Sequence, residues 1–355
     1  MSAQLRPHDV SQARLVLLGT GTVGSAFISR YQALQQRQLA LPALHVVANS
    51  RIALAYSDAP ETVLSLARNA RRGSGEPVHR REVGQLGAGD IVVDATASED
   101  VAADHAHWLA QGIHVVTANK LGNGTTLNRA VGIGAASVAG NARYGDAATV
   151  GAGLPLLRSI RALVAGGDQV HAIEGVLSGS LAWLFDRFDG SKPFSECVRE
   201  AAAAGFTEPD PRIDLSGEDV RRKLLILARA AGVALESEQV KVESLVPPTL
   251  AALPAEAVDA ALGQLDAPLQ EWLCWSREQG LKLCFVGRVD ADGASVGLRA
   301  LPADHPLAGG RGTDNRVAIH SDRYSSQPLL IQGPGAGAEV TAAALLDDVL
   351  GIVRC

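Results

Sequence analysis

Apolar residues in the first third of the chain fall in short unbroken runs rather than in strict alternation. The first, Leu15 to Leu18, opens the segment "ARLVLLGTGTVGSAFISRYQAL", and others follow in "ALHVVANSR", "DIVVDATAS" and "GIHVVTANK". Runs this short and rich in β-branched residues predict strands buried on both faces, and the helix-like stretches between them predict crossover connections. Strands and helices alternating in this way predict a parallel, doubly wound sheet of the Rossmann type. From about residue 146 the pattern changes. "TVGAGLPLLRSIRALVAGGDQV" predicts a glycine-rich turn entering a helix, and "HAIEGVLSGSLAWLFDRF" a strand, a turn and a helix. "LKLCFVGRVDADGASVGLRAL" alternates around Asp-Gly, which is the signal for a β-hairpin. The tail "LLIQGPGAGAEVTAAALLDDVLGIV" predicts a strand, a glycine turn and a helix that returns to the first domain. The expected fold class is therefore α/β, with a dinucleotide-binding domain from 1–145 plus 334–355 and an α+β substrate domain from 146–333.

Gly19, Gly21 and Gly24 form G-x-G-x-x-G between the first strand and the first helix, with Thr22 and Val23 inside the turn. This order suits a pyrophosphate: a tight turn, a backbone that no side chain shields, and close packing of helix on strand. The end of the second strand selects the nucleotide. An acidic residue there would accept from a ribose hydroxyl, but the chain has Asn49, Ser50 and Arg51, and an arginine suits a 2'-phosphate. NADP is the expected cofactor, with NAD as the alternative.

The totals narrow the function classes. A net charge of -6 provides no basic stripe for a nucleic-acid backbone. The opening "MSAQLRPHDVSQAR" lacks the apolar centre of a signal peptide, and no long uncharged apolar run predicts a membrane span. A cytoplasmic protein is expected. Cys197, Cys274, Cys284 and Cys355 show no C-x-x-C spacing and suit a reducing compartment. His105 and His107, two apart on a predicted helix, point to different sides and do not make a metal pair.

Charge concentrates in "TEPDPRIDLSGEDVRRK", ahead of the apolar run "LLILARAAG". Ser216 with Asp219 three residues on predicts a helix N-terminus, and Gly232 its end. Asp219 and Lys223 then share one face, beside a core-facing set of Val220, Leu224, Leu227 and Ala231. Pro209 and Pro211 are expected to hold Glu208, Asp210 and Asp214 in an extended loop. An exposed Asp–Lys pair at this spacing is ordinarily worth only about 0.3–0.5 kcal/mol. The same groups would also suit a substrate with an amino group and a carbonyl, because a lysine can protonate the alkoxide that hydride transfer leaves.

"GFTEPDPRIDLSGEDVRRKLLILAR", together with "VGAGLP", "GVLSGSLAWLF" and "IQGPGAGAEVTAA", resembles homoserine dehydrogenase, and the order of motifs matches from residue 13 almost to the end. The resemblance implies a Rossmann-type domain closed by the C-terminal helix and a substrate-binding and dimerisation domain. It implies reduction of L-aspartate 4-semialdehyde to L-homoserine with NADPH or NADH, on the way to threonine and methionine, by a homodimer. It also assigns roles: Lys223 as the acid/base lysine, Asp219 beside it, Glu208 on the substrate amino group with Asp214, Gly179 and Ser180 at a substrate turn. Lys120 of "TANK" becomes the second active-site lysine, beside the nicotinamide, and Thr96 and Gly337 become cofactor contacts. A sodium or potassium site would draw on Val150, Ala152, Leu154 and Asp146, although Ala147 occupies the position that is acidic in the family. Phe206 stands where a tyrosine is common, and Ile213 where an acid is common. With no kinase segment ahead of these motifs and no regulatory domain behind them, a monofunctional form is expected. Two rival readings are a non-catalytic NADP-sensing protein on the same fold and an aspartate semialdehyde dehydrogenase, which would require a nucleophilic cysteine.

Overall fold

The computed structural model describes residues 13–57, 59–71 and 77–354. The polar opening segment, apart from Ala13 and Arg14, and Cys355 lie outside the described residues. Two units divide the chain, one of Met1–Gly153 with Gly337–Cys355 and one of Leu154–Ala336.

In the first unit the strands are β1 (Arg14–Leu18), β2 (Ala43–Ala48), β3 (Ala53–Ala55), β4 (Ile91–Asp94), β5 (His114–Thr117) and β6 (Tyr144–Gly145). Around them run α1 (Thr22–Gln36), α2 (Pro60–Asn69), α3 (Val78–Val83), α4 (Glu99–Ala110) and α5 (Leu127–Ala139). The sheet order is β3-β2-β1-β4-β5-β6, all parallel except the short edge strand β3. Within β1, Leu15 and Leu17 join a cluster with Phe27, Ile28 and Tyr31 of α1, whereas Val16 and Leu18 join one with Trp108, Leu109 and Ile133. Adjacent side chains on a strand point to opposite faces, so the unbroken apolar run serves two cores.

The second unit opens with α6 (Leu156–Ala165), β7 (Val170–Val176), α7 (Gly179–Arg187), α8 (Phe194–Ala203), α9 (Arg212–Leu215) and α10 (Glu218–Ala230). It continues through β8 (Val240–Val242), α11 (Pro248–Ala251), α12 (Val258–Ala261), α13 (Asp266–Glu278), β9 (Leu281–Asp290), β10 (Gly293–Pro302), β11 (Asp314–Ser321) and β12 (Leu329–Pro334). Its sheet runs β12-β11-β7-β9-β10-β8, antiparallel apart from β8 against β10. The hairpin expected at Asp-Gly is β9–β10, where Gly293 pairs with Asp290 and Ala291–Asp292 form the turn. The closing helix, α14 (Ala338–Val353), belongs to the first unit and packs Ala342, Leu345, Leu346 and Val349 into the α1 cluster.

Two local expectations need correction. Helix α10 is capped not by Ser216 but by Gly217, whose φ of 79° is left-handed, and it ends at Ala230. A Cβ at Gly217 would approach Phe285 to 3.0 Å, so packing as well as backbone angle requires glycine there. The loop after Pro209 is not extended throughout. It turns helical at α9, and Arg212 clamps Asp210 while its Nη1 reaches the carbonyl of Leu253 at 2.6 Å.

Candidate functional site

The phosphate turn is built by contact distances at its glycines. Gly19 has φ of 107°, and a Cβ on Gly24 would lie 1.9 Å from the Gly19 carbonyl oxygen, so both are fixed by the protein itself. Around Gly21 a Cβ would meet nothing within 4 Å. Gly21 caps α1 without a side chain, and no acidic residue occupies the first turn. The amides of Thr22 and Val23 therefore lack intrahelical acceptors and offer an anion site. The adjoining cavity, about 910 Å³, is lined by Gly19, Gly21, Asn49, Ser50, Arg51 and Thr96, with Arg68, Arg81 and Asp100 adding charged groups. That volume suits a ligand of nucleotide size.

Asn49 and Thr96 organise this cavity. The Asn49 amide donates to Thr20 Oγ1 at 3.0 Å and to the Ala67 carbonyl at 2.8 Å, and its oxygen accepts the Arg51 and Ile52 amides. Arg51, exposed, anchors Nη1 on the Arg68 carbonyl at 2.8 Å. Thr96 donates through Oγ1 to Asp94 at 2.6 Å. Sequence reasoning missed Asp94, a wholly buried carboxylate at the end of β4 whose other oxygen lies 3.0 Å from His105 Nε2. The signal was an acid closing the apolar run "DIVVD". After β5, Asn119 is also buried; it donates to the Ser98 carbonyl and accepts the Leu121 amide, fixing the turn that carries the half-buried Lys120. Gly337 caps α14 with φ of 132°.

Near the loop read as a cation site, Asp146 is fully buried and its Oδ2 accepts from Asn123 at 2.9 Å. Its carbonyl accepts the Thr149 amide and hydroxyl. Ala152 takes a left-handed φ of 53°, beside Gly151 at 71°.

In the second unit one lysine of the charged stretch is buried against an acidic neighbour. Lys223 Nζ lies 2.8 Å from Asp219 Oδ2 and donates to the Leu177 carbonyl at 2.7 Å. Its side chain is only 10% exposed, against 39% for Asp219, which is unlike an ordinary surface pair. Leu177 sits just past β7, and Gly287 of the neighbouring β9 packs against Val220 and Leu224, so α10 rests closely on the sheet.

The remaining carboxylates divide by role. Asp210 is held by Arg212, and that guanidinium keeps its carboxyl below the usual range. Asp214 accepts Ser180 Oγ at 2.6 Å and the Glu208 amide at 2.8 Å. The Glu208 carboxylate is exposed and makes no hydrogen bond or ion pair among the described residues. Phe206 is 42% exposed and its ring lies tilted against Trp183, with centroids 5.3 Å apart, while Ile213 is exposed. Gly179 opens α7, tight against the Thr313 carbonyl. Cys197 and Cys284 are buried, which pushes both thiols upward, and Cys274 lies on the exposed side of α13. None of these three resembles an activated nucleophile.

A phosphate-cradling parallel sheet in one unit and a buried lysine with partly open carboxylates in the other define a two-part, dinucleotide-binding protein of the dehydrogenase type. Comparison with known families then specifies which. The model described as "Homoserine dehydrogenase" matches residues 155–350, and that described as "Homoserine dehydrogenase, NAD binding domain" matches 19–141. The chain belongs to the homoserine dehydrogenase family. It is 39% identical over 277 residues to a homoserine dehydrogenase of Emericella nidulans, covering 74% of this chain and 75% of that one. It is 41% identical over 281 residues to bifunctional aspartokinase/homoserine dehydrogenase 2, chloroplastic, of Zea mays, covering 78% of this chain but 30% of that protein. The chain thus spans about a third of the length of such bifunctional relatives. A hyperthermophilic archaeal homoserine dehydrogenase in complex with NADPH shares the fold, with a TM-score of 0.72, 20% identity, and coverage of 96% of this chain and 97% of that one.

Proposed function

We propose that the protein interconverts L-aspartate 4-semialdehyde and L-homoserine, using a nicotinamide nucleotide, as a step towards threonine and methionine. The observation that carries this reading is the Lys223 ammonium, buried between Asp219 and the Leu177 carbonyl. When bound, the nucleotide supplies the hydride. Lys223 meets the negative charge that forms on the carbonyl oxygen and delivers the proton that completes the alcohol; in the reverse direction it receives that proton. Asp219 holds the Lys223 side chain in place through a 2.8 Å contact. The Glu208 carboxylate, exposed and without a side-chain partner among the described residues, receives the substrate ammonium. Lys120, on a turn fixed by Asn119, serves as the second lysine.

NADP is the preferred nucleotide on this reading, because Arg51, Arg68 and Arg81 line the cavity beyond β2 and no acid follows that strand. NAD is the less favoured substitute. The archaeal relative's NADPH complex supports the same choice. Sodium or potassium would be held by the main-chain oxygens of Val150, Ala152 and Leu154, with Asp146, whose Oδ2 accepts from Asn123, as the neighbouring acid. A cytoplasmic homodimer is part of the same proposal. Among the described residues no helix is long and apolar enough to cross a membrane. Steady-state oxidation of L-homoserine tests the proposal. Homoserine-dependent formation of NADPH is expected, and its absence with both NADP and NAD would overturn it.

A further inference from the structure

The substrate groups assigned above hang on a chain of hydroxyls that begins at Ser178, a residue given no role so far. Ser178 is buried, follows Leu177 directly, and caps α7 by accepting the Leu181 amide at 3.3 Å. Its Oγ lies 2.9 Å from Ser180 Oγ. Ser180, also buried, donates to Asp214 Oδ1, and Asp214 Oδ2 accepts the Glu208 amide.

Hydrogen-bond valence fixes the direction of this chain. A carboxylate only accepts, so the single Ser180 proton is spent on Asp214. The Ser178–Ser180 contact must then use the Ser178 proton, while Ser178 takes the Leu181 amide through a lone pair. One end of the chain is thereby joined, through a single peptide unit, to the carbonyl that holds Lys223; the other grips the backbone of Glu208.

We propose that Ser178 is a positioning residue, which through Ser180 and Asp214 holds the Glu208 backbone in fixed relation to the Lys223 carbonyl partner. The inference rests on the homoserine reading above. Without the Ser178 proton, Ser180 loses its donor, its rotor is freed, and its grip on Asp214 loosens. The consequence falls on capture of the amino acid rather than on the nucleotide, whose cradle lies in the other unit.

A plain capping role for Ser178 makes a different prediction, and glycine separates the two. Glycine caps a helix almost as well as serine but donates no hydroxyl proton. Threonine retains both functions. For the full chain assayed in homoserine oxidation, Ser178→Gly is expected to raise KM for L-homoserine about five-fold, the equivalent of one hydrogen bond. Its kcat should stay within about two-fold and the NADP dissociation constant close to wild type, with the melting temperature lowered by no more than about 2–4 °C, the loss of one hydrogen bond. Ser178→Thr is expected to restore KM. Wild-type turnover with an unchanged KM in Ser178→Gly, or a Ser178→Thr enzyme as impaired as the glycine variant, would overturn the inference alone. A folded wild type that binds NADP but does not oxidise homoserine would overturn the underlying reading instead.

Discussion

Asp219 and Lys223 stand one helical turn apart on α10, with Oδ2 and Nζ 2.8 Å apart, and the lysine is the more buried partner. The pair therefore cannot be valued like a surface salt bridge, because the Lys223 charge has lost most of its water. Asp219→Asn preserves shape but removes the counter-charge. It is expected to lower kcat/KM for homoserine by about ten-fold to a hundred-fold, in the range of one charge-assisted hydrogen bond. Steady-state kinetics, with nucleotide affinity measured separately by fluorescence, check this.

Two of the turn glycines make opposite predictions. Gly24→Ala forces a Cβ to 1.9 Å from the Gly19 carbonyl and should destabilise the first unit by about 1–3 kcal/mol, as overpacking does. Gly21→Ala meets no protein atom and should leave the melting temperature unchanged while weakening NADP binding about ten-fold or more, since the added methyl intrudes where the phosphate would approach. Thermal melts and titration calorimetry separate the two effects.

Arg51 tests nucleotide choice. Its Nη1 is anchored on the Arg68 carbonyl at the rim of the cavity. Arg51→Ala should raise KM for NADPH by about ten-fold, the value of a charge-assisted contact to phosphate, and leave KM for NADH within two-fold. Parallel initial-rate measurements with the two nucleotides decide it.

Acid stability should depend on Asp90. The carboxyl is buried, which by itself raises its pKa, but hydrogen bonds from Arg14 and the Gly87 amide outweigh burial and leave it below the ordinary carboxylate value. A group depressed on folding binds fewer protons in the folded state. Its contribution is complete above the unfolded carboxylate range and fades as pH falls through the lower folded value. Asp90→Asn should cost about 1–3 kcal/mol near neutral pH, and the gap from wild type should narrow below about pH 4. Urea melts across that range measure it.

Much of this arrangement is legible in the sequence, for reasons that differ by element. The parallel sheet is legible because β1 feeds two cores, which leaves an unbroken apolar run, and the phosphate turn because Gly19 and Gly24 sit where only glycine tolerates the contacts. The Asp219–Lys223 pair is legible from helical spacing alone. The antiparallel edge strand β3 is not, since three residues carry too little periodicity. Nor are the partners that hold the site. Leu177 contributes a carbonyl, which leaves no trace in residue type, and Ser178 and Asp94 act through contacts across 2 to 34 positions of chain. The charge of "TEPDPRIDLSGEDVRRK" is likewise less uniform in role than it reads, because Arg212 removes Asp210 from service and leaves Glu208 open.

Lys223→Ala examines the central claim most directly, with homoserine oxidation and NADP binding measured on the same preparation. Loss of kcat/KM by about a hundred-fold to ten-thousand-fold, with the NADP dissociation constant unchanged, is the result expected of an acid/base lysine. Turnover within a few-fold of wild type in a folded, nucleotide-binding variant would contradict it.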